Sequence, residues 1–153
     1  MIQRLFGIDL RTLAFFRIAL GGMLLYDLCI RSIDLEAHYT DFGVYPRDLA
    51  ARLIGEWGFS LHFASGALWF QTIFFLVAGA AAFSMIMGYR TRWATFISWV
   101  LLASIQNRNP WILIGGDNLL AVLMFWAMFL PLGTRWGIAV SYTHLTLPTI
   151  SSV

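Results

Sequence analysis

Residues 13–30 read LAFFRIALGGMLLYDLCI, and the fold turns on what such a run can be. A helix needs roughly 20 apolar residues, and at least about 17, to cross a bilayer. This run reaches that length with only Arg17 and Asp27 as charges inside it. A second run, 67–87, holds only Gln71, Thr72 and Ser84 as polar residues. A third, 93–106, is short and reaches the minimum by borrowing flanking residues such as Thr91 and Asn107. A fourth, 118–132, is opened by GGDN, with Asp117 placed as its N-cap, and is stopped by Pro131 and Gly133. The pattern predicts an all-α chain, a polytopic membrane helical bundle of about four transmembrane helices, with an interfacial loop over 31–66.

Composition agrees with that class. Hydrophobic residues make up 59% of the chain, aromatics 16% and charged residues 12%, and the mean hydropathy of +0.74 lies outside the usual range of soluble domains. The net charge of +2 is too small and too dispersed for nucleic-acid binding. Lysine is absent, which excludes chemistry that uses a lysine base or Schiff base. The single cysteine, Cys29, offers neither a disulfide framework nor a thiolate cluster. His38 and His62 stand too far from other ligands for a metal site, and GGDN lacks the rest of a phosphate loop. No cofactor is implied by any of these residues.

MIQRLFGIDLR could pass for the start of a secretory signal, but Arg17 breaks the apolar core such a signal needs, so the segment reads as a retained helix. Arg4, Arg11, Arg90, Arg92 and Arg135 fall on one side of the expected spans, against Arg31, Arg47, Arg52 and Arg108 on the other. That margin of one residue favours a cytoplasmic N-terminus, and the compact loops without an organelle-targeting presequence suit a bacterial inner membrane. In the loop, Pro46 suits the first turn of a helix, and Leu49, Leu53, Ile54 and Trp57 form an apolar stripe fit to lie on the membrane surface. Trp69, Trp93, Trp111 and Trp136 suit interfacial anchors, and Ala78, Gly79, Ala81 and Ala82 suit close helix packing.

Charges at membrane depth are costly and usually face a bundle interior or a wet cavity. Arg17 and Asp27 lie about 80° apart around the helix and about 15 Å apart along it, too far to pair, whereas Asp27 reaches Arg31 at the i, i+4 spacing. With this topology Asp27, Arg31, His38, Asp41, Asn107, Arg108, Asp117 and Asn118 gather near the external ends of the first, third and fourth helices as a polar pocket. The competing reading is structural. Arg17 snorkels to the nearer interface, Asp27 and Arg31 form a packing pair, and NRNP is a tight turn.

DLRTLAFFRIALGGMLLYDL, HYTDFGVYPR, GYRTR, SIQNRNPWILIGGDNLL and FLPLGTRW, taken in that order over roughly residues 9–136, resemble the HTTM family. Its membrane region is shared with vitamin K-dependent gamma-carboxylase. The resemblance implies a multi-helix membrane domain related to an enzyme that couples oxidation of a reduced quinone to glutamate carboxylation. It does not carry that activity over, because the base there is a lysine downstream of the matched part. Arg17 and Asp27 match the family's RxxxG...D pattern and carry across as structural or pocket residues only. A lipid- or quinone-related membrane enzyme is the implied parent, with a lipid or quinone-like ligand. A non-enzymatic scaffold or transport component is the alternative.

Where the family continues into further membrane helices, residues 140–149 read VSYTHLTLPT. This resembles the translation of a common transposon-based sequencing adapter, so 140–153 is expected not to be a domain, and the chain is expected to be an N-terminal piece lacking its parent's C-terminal helices. On that view the chain as written should have no catalytic activity of its own.

Overall fold

The computed structural model describes residues 9–53 and 58–133. Ile54 and Trp57 of the loop stripe, Arg4, Arg135, the Trp136 anchor and the 140–153 tail lie outside the described residues. The described residues form six α-helices with two short 3₁₀ turns, Leu61–Phe63 and Pro110–Ile112. The helices are α1 (Leu10–Ile33), α2 (Leu35–Tyr39), α3 (Arg47–Leu53), α4 (Leu68–Met87), α5 (Thr91–Arg108) and α6 (Gly115–Ala127). No strand occurs among the described residues, so the chain is all-α there.

Each long helix has a local reason for its ends. Asp9 caps α1 by accepting the Arg11 amide at 2.9 Å, which starts the helix three residues before the apolar run. Gly88 closes α4 in the left-handed region at φ 74, where glycine carries no Cβ penalty, and the Tyr89 amide reaches back to the Ser84 carbonyl at 3.0 Å. Helix α6 begins at Gly115 and stops at Ala127, short of the expected 132. Beyond it the amides of Met128, Phe129 and Leu130 tighten onto carbonyls three residues back, the turn that precedes a proline unable to continue a helix. Asp117 is the third helical residue and not the N-cap; its carboxylate reaches back to the Ile114 amide at 2.8 Å. Ile114 occupies the cap position, and its side chain offers no oxygen to return that bond.

Helix α1 packs on α4, α4 on α5 and α5 on α6, with a lighter contact from α6 back to α1. The chain runs up and down, because Arg17 near the start of α1 touches the end of α4 and the segment after α6. The buried stripe of α1 is Leu13, Arg17, Leu20, Leu24, Leu28 and Arg31, at spacings of three and four. Gln71, Phe75, Ala78, Ala82 and Met85 form the matching stripe of α4. At their crossing a Cβ on Gly21 would stand 2.5 Å from Ile86 Cγ1, so only glycine fits there. Ala78 and Ala82 sit in the packed stripe, while a Cβ on Gly79 would meet nothing within 4 Å.

Polar side chains are mixed into an apolar core, and many large apolar side chains stand outside it. The interior holds Arg17, Gln71, Thr95, Ser98, Gln106, Arg108 and Asp117, whereas Phe15, Tyr26, Leu76, Phe83, Phe96, Val122, Trp126 and Phe129 face outward. Two helices, α1 and α4, are long and apolar enough to cross a membrane. Less than half of the apolar stretch of each is buried, unlike helices enclosed in a core. The expected count of about four spans is not reached on these criteria. Helix α5 is lowered by Arg92, Thr95, Ser98, Ser104, Gln106 and Asn107, and α6, with 13 residues, covers only about 20 Å at 1.5 Å per residue. In the loop helix α3, Leu49 and Leu53 are exposed and Ala50 is buried, so its apolar edge faces away from the bundle.

Candidate functional site

The C-terminal turns of α1 carry Asp27 and Arg31 one turn apart, and the start of α6 carries Asp117. The Arg31 Nε donates to both Asp27 oxygens, at 2.9 and 2.8 Å, and its terminal nitrogens reach Asp117 Oδ1 at 2.9 Å and the Tyr39 hydroxyl at 3.0 Å. This guanidinium thereby joins α1, α2 and α6. Asp117 divides its carboxylate between Arg31 and the Ile114 amide, where a negative charge also suits the positive end of the α6 dipole.

Above this network lies a groove of about 400 Å³ between α1 and α6. Its walls are apolar, formed by Met23, Ile30, Ile112, Ile114 and Leu120 with Tyr26, and Asp27, Arg31, Asp34, His38 and Asp117 line the polar part. Three carboxylates against one guanidinium leave that part rich in hydrogen-bond acceptors. An amphiphile with a donor-bearing head and an apolar body matches the groove. Among the described residues no group of three or more His, Cys, Asp or Glu could hold a metal ion.

Of the eight pocket residues expected from the sequence, Asp27, Arg31, His38 and Asp117 line this groove. Asp41, Asn107 and Arg108 instead fasten the loop that covers the same end of the bundle. Arg108 is fully buried and donates to the carbonyls of Tyr45 at 3.0 Å and Tyr39 at 3.3 Å, with the Tyr45 and Phe63 rings 5.9 and 5.5 Å from its guanidinium carbon. Asn107 donates to Phe59 O at 2.9 Å. Asp41 pairs with Arg47 at 2.6 Å, and this guanidinium holds the Asp41 carboxyl below its ordinary range while its own pKa is pushed up by the same bond. Asn118 is exposed and takes no part in the groove lining.

Arg17 lies at the far end of the bundle, fourteen positions before Arg31 and so about 21 Å away along α1. It is fully buried and does not snorkel outward. Its terminal nitrogens donate to Leu132 O at 3.1 Å and Ile86 O at 3.4 Å. Ile86 is in the last turn of α4, whose carbonyls have no partner within the helix, so Arg17 caps a neighbouring helix.

The sequence reading passed over Tyr39, Gln71, Asp34 and the true place of His62. Tyr39 is fully buried, and that burial raises its phenol pKa despite the adjacent Arg31. His62 is also fully buried; its Nδ1 donates to Gln71 Oε1, and the Gln71 amide donates to His62 O at 3.1 Å and Ser65 O at 2.6 Å. That amide orientation places the imidazole proton on Nδ1 and leaves Nε2 without a hydrogen-bond partner among the described residues. Burial lowers the His62 pKa, and nearby Arg108 acts in the same direction. A signal existed for Gln71, a lone amide within an apolar run; a short helix such as α2 leaves none for Tyr39. No family model, curated protein or solved structure matches the chain.

Proposed function

We propose that this chain is an integral-membrane helical bundle of HTTM type that binds the polar head of a lipid-soluble, quinone-like molecule in the groove between α1 and α6. The observation that carries the reading is the apolar exterior: phenylalanine, leucine and tryptophan face outward, while charged and amide side chains are buried within the apolar core. Such a surface is stable where lipid replaces water. The ordered motifs of α1, the loop, the α4–α5 turn and α6 support the family relationship. All four long helices then lie in the bilayer, with α5 keeping its polar residues against its neighbours and α6 lengthened by the turn before Pro131.

A groove-filling variant tests the binding. A Cβ on Gly116, which lines the groove, would meet nothing within 4 Å. Gly116→Leu should therefore fill space without disturbing the fold. In reconstituted bilayers the wild-type chain should bind a short-chain quinol, and Gly116→Leu should weaken binding by about tenfold or more, equal to at least 1.4 kcal/mol. Equal binding by both proteins would sink the site.

A scaffold role is the second reading, and one observation favours it. Every nitrogen of Arg31 is already engaged within the protein, at 2.8–3.0 Å. If the network is purely a clasp between helices, neither protein will bind quinol, and breaking the network will lower stability alone.

A further inference from the structure

Two cavities meet at the opposite end of the bundle. One, of about 490 Å³, lies at the α4–α5 turn and is lined by Arg90, Thr91 and Arg92, with Trp93 and the segment after α6; no carboxylate lines it among the described residues. The other, of about 340 Å³, is a mainly apolar furrow along the α4–α5 seam, floored by Ala81, Ala94 and Ile97. Arg90 and Trp93 border both.

Neither Arg90 nor Arg92 has an ion-pair partner among the described residues, because the three salt bridges found there all lie at the other end. Asp9, the carboxylate at this end, is engaged in capping α1. The Arg90 guanidinium stands 5.9 Å from the Tyr89 ring centroid. Its backbone sits at φ 42, ψ 47, and it is the single non-glycine residue with positive φ among those described. Such a conformation is strained for any residue with a Cβ and persists where its surroundings hold it.

Charge decides the occupant. Two unpaired guanidiniums recognise phosphate oxygens, and an apolar furrow opening beside them takes a hydrocarbon chain. Basic pockets between membrane helices at the cytoplasmic face attract anionic lipids for the same reason. We infer that this corner binds an anionic phospholipid, with its phosphate between Arg90 and Arg92 and one acyl chain in the α4–α5 furrow. The inference rests on the membrane-bundle reading but not on the quinone-like ligand.

The chain is reconstituted into vesicles of equal phosphatidylglycerol and phosphatidylcholine, then extracted in mild detergent, and the retained lipid is measured by mass spectrometry. Wild type should keep phosphatidylglycerol in preference, and Arg90→Gly and Arg92→Gln should each cut that retention about tenfold, the size of one charge-assisted contact. Glycine is the residue best suited to φ 42, so Arg90→Gly should unfold at the same or a higher temperature, which separates lost binding from lost fold. Equal retention of both lipids, unchanged retention in both variants, or full displacement by soluble glycerol phosphate would each overturn the site. Alkaline extraction of the same vesicles reports on insertion. A chain that resists it without lipid preference overturns this site alone, and a chain released by it overturns the membrane reading as well.

Discussion

The two ends of the bundle bury an arginine in different ways. At the end of α1 that faces the loop, Arg31 meets two carboxylates and a phenol. At the other end, Arg17 meets backbone carbonyls of Ile86 and Leu132. Those carbonyls accept from the terminal nitrogens of Arg17, and Arg90 and Arg92 add positive charge at the same end. Carboxylates over-compensate Arg31, and its end is acceptor-rich. One helix thereby carries a structural cap at one end and one wall of the α1–α6 groove at the other. The residue type alone does not tell which.

The largest effect should come from Arg17. Replacing it with Ala strands the carbonyls of Ile86 and Leu132 and opens a void in a fully buried position. A loss of about 3 kcal/mol in unfolding free energy in detergent is expected, combining lost charge-assisted bonds with cavity formation. An unchanged unfolding curve would break the comparison, since the carbonyl-bound end would then need no cation.

Removal of Asp117 comes next. Its side chain is 9% exposed and that of Asp27 18%, so Asp117→Ala should lose about 2 kcal/mol and Asp27→Ala somewhat less. Asp34→Ala should stay within about 0.5 kcal/mol, because Asp34 is exposed. If Asp34→Ala and Asp27→Ala have equal thermal stability in detergent and in bilayers, the Asp27–Arg31 pair contributes nothing.

Acidification should act on the loop end alone. His62 titrates from an ordinary value of 6.5 when unfolded and from a lower value when folded. The unfolded chain therefore binds more protons as pH falls below 6.5, and stability drops by at most about 1.4 kcal/mol per pH unit until the folded pKa is passed. His62→Gln should flatten this dependence between pH 7.5 and 5.5. A slope that survives in His62→Gln would assign it elsewhere.

The smallest effect belongs to Asp41 and Arg47, whose side chains are 34% and 36% exposed. Asp41→Asn should cost under about 0.5 kcal/mol after solvent screening, and less in high salt. The Asp41 carboxyl is held below its ordinary 3.8, so its contribution is present above that value and disappears only as pH falls below it. The two acid transitions of the loop end should thus be resolved in a pH titration of unfolding temperature.

Much of the scaffold was legible in the primary structure because its causes are local. Apolar runs set the four long helices, Gly88 ends α4, and Asp27 meets Arg31 across a single turn. The stripe that turns Arg17 inward was also readable, since Leu13, Leu20 and Leu24 share its helical face. Element ends were less legible: Asp117 resembles a cap in sequence but serves one turn inside the helix.

The sequence by itself determined the all-α class of the described residues with their apolar helix faces, an acid–base pair on α1 and the break at Gly88, for these depend on residues within a turn or two. The tertiary structure alone decided where the guanidiniums end. Arg17 finds a carbonyl 115 residues away, Arg108 carbonyls 63 and 69 residues away, and Asn109 one 71 residues away. A backbone carbonyl is present in every residue, so no residue type marks such a partner. The turn or helix end that leaves it unpaired, and the packing that brings it within reach, exist only once the bundle has formed.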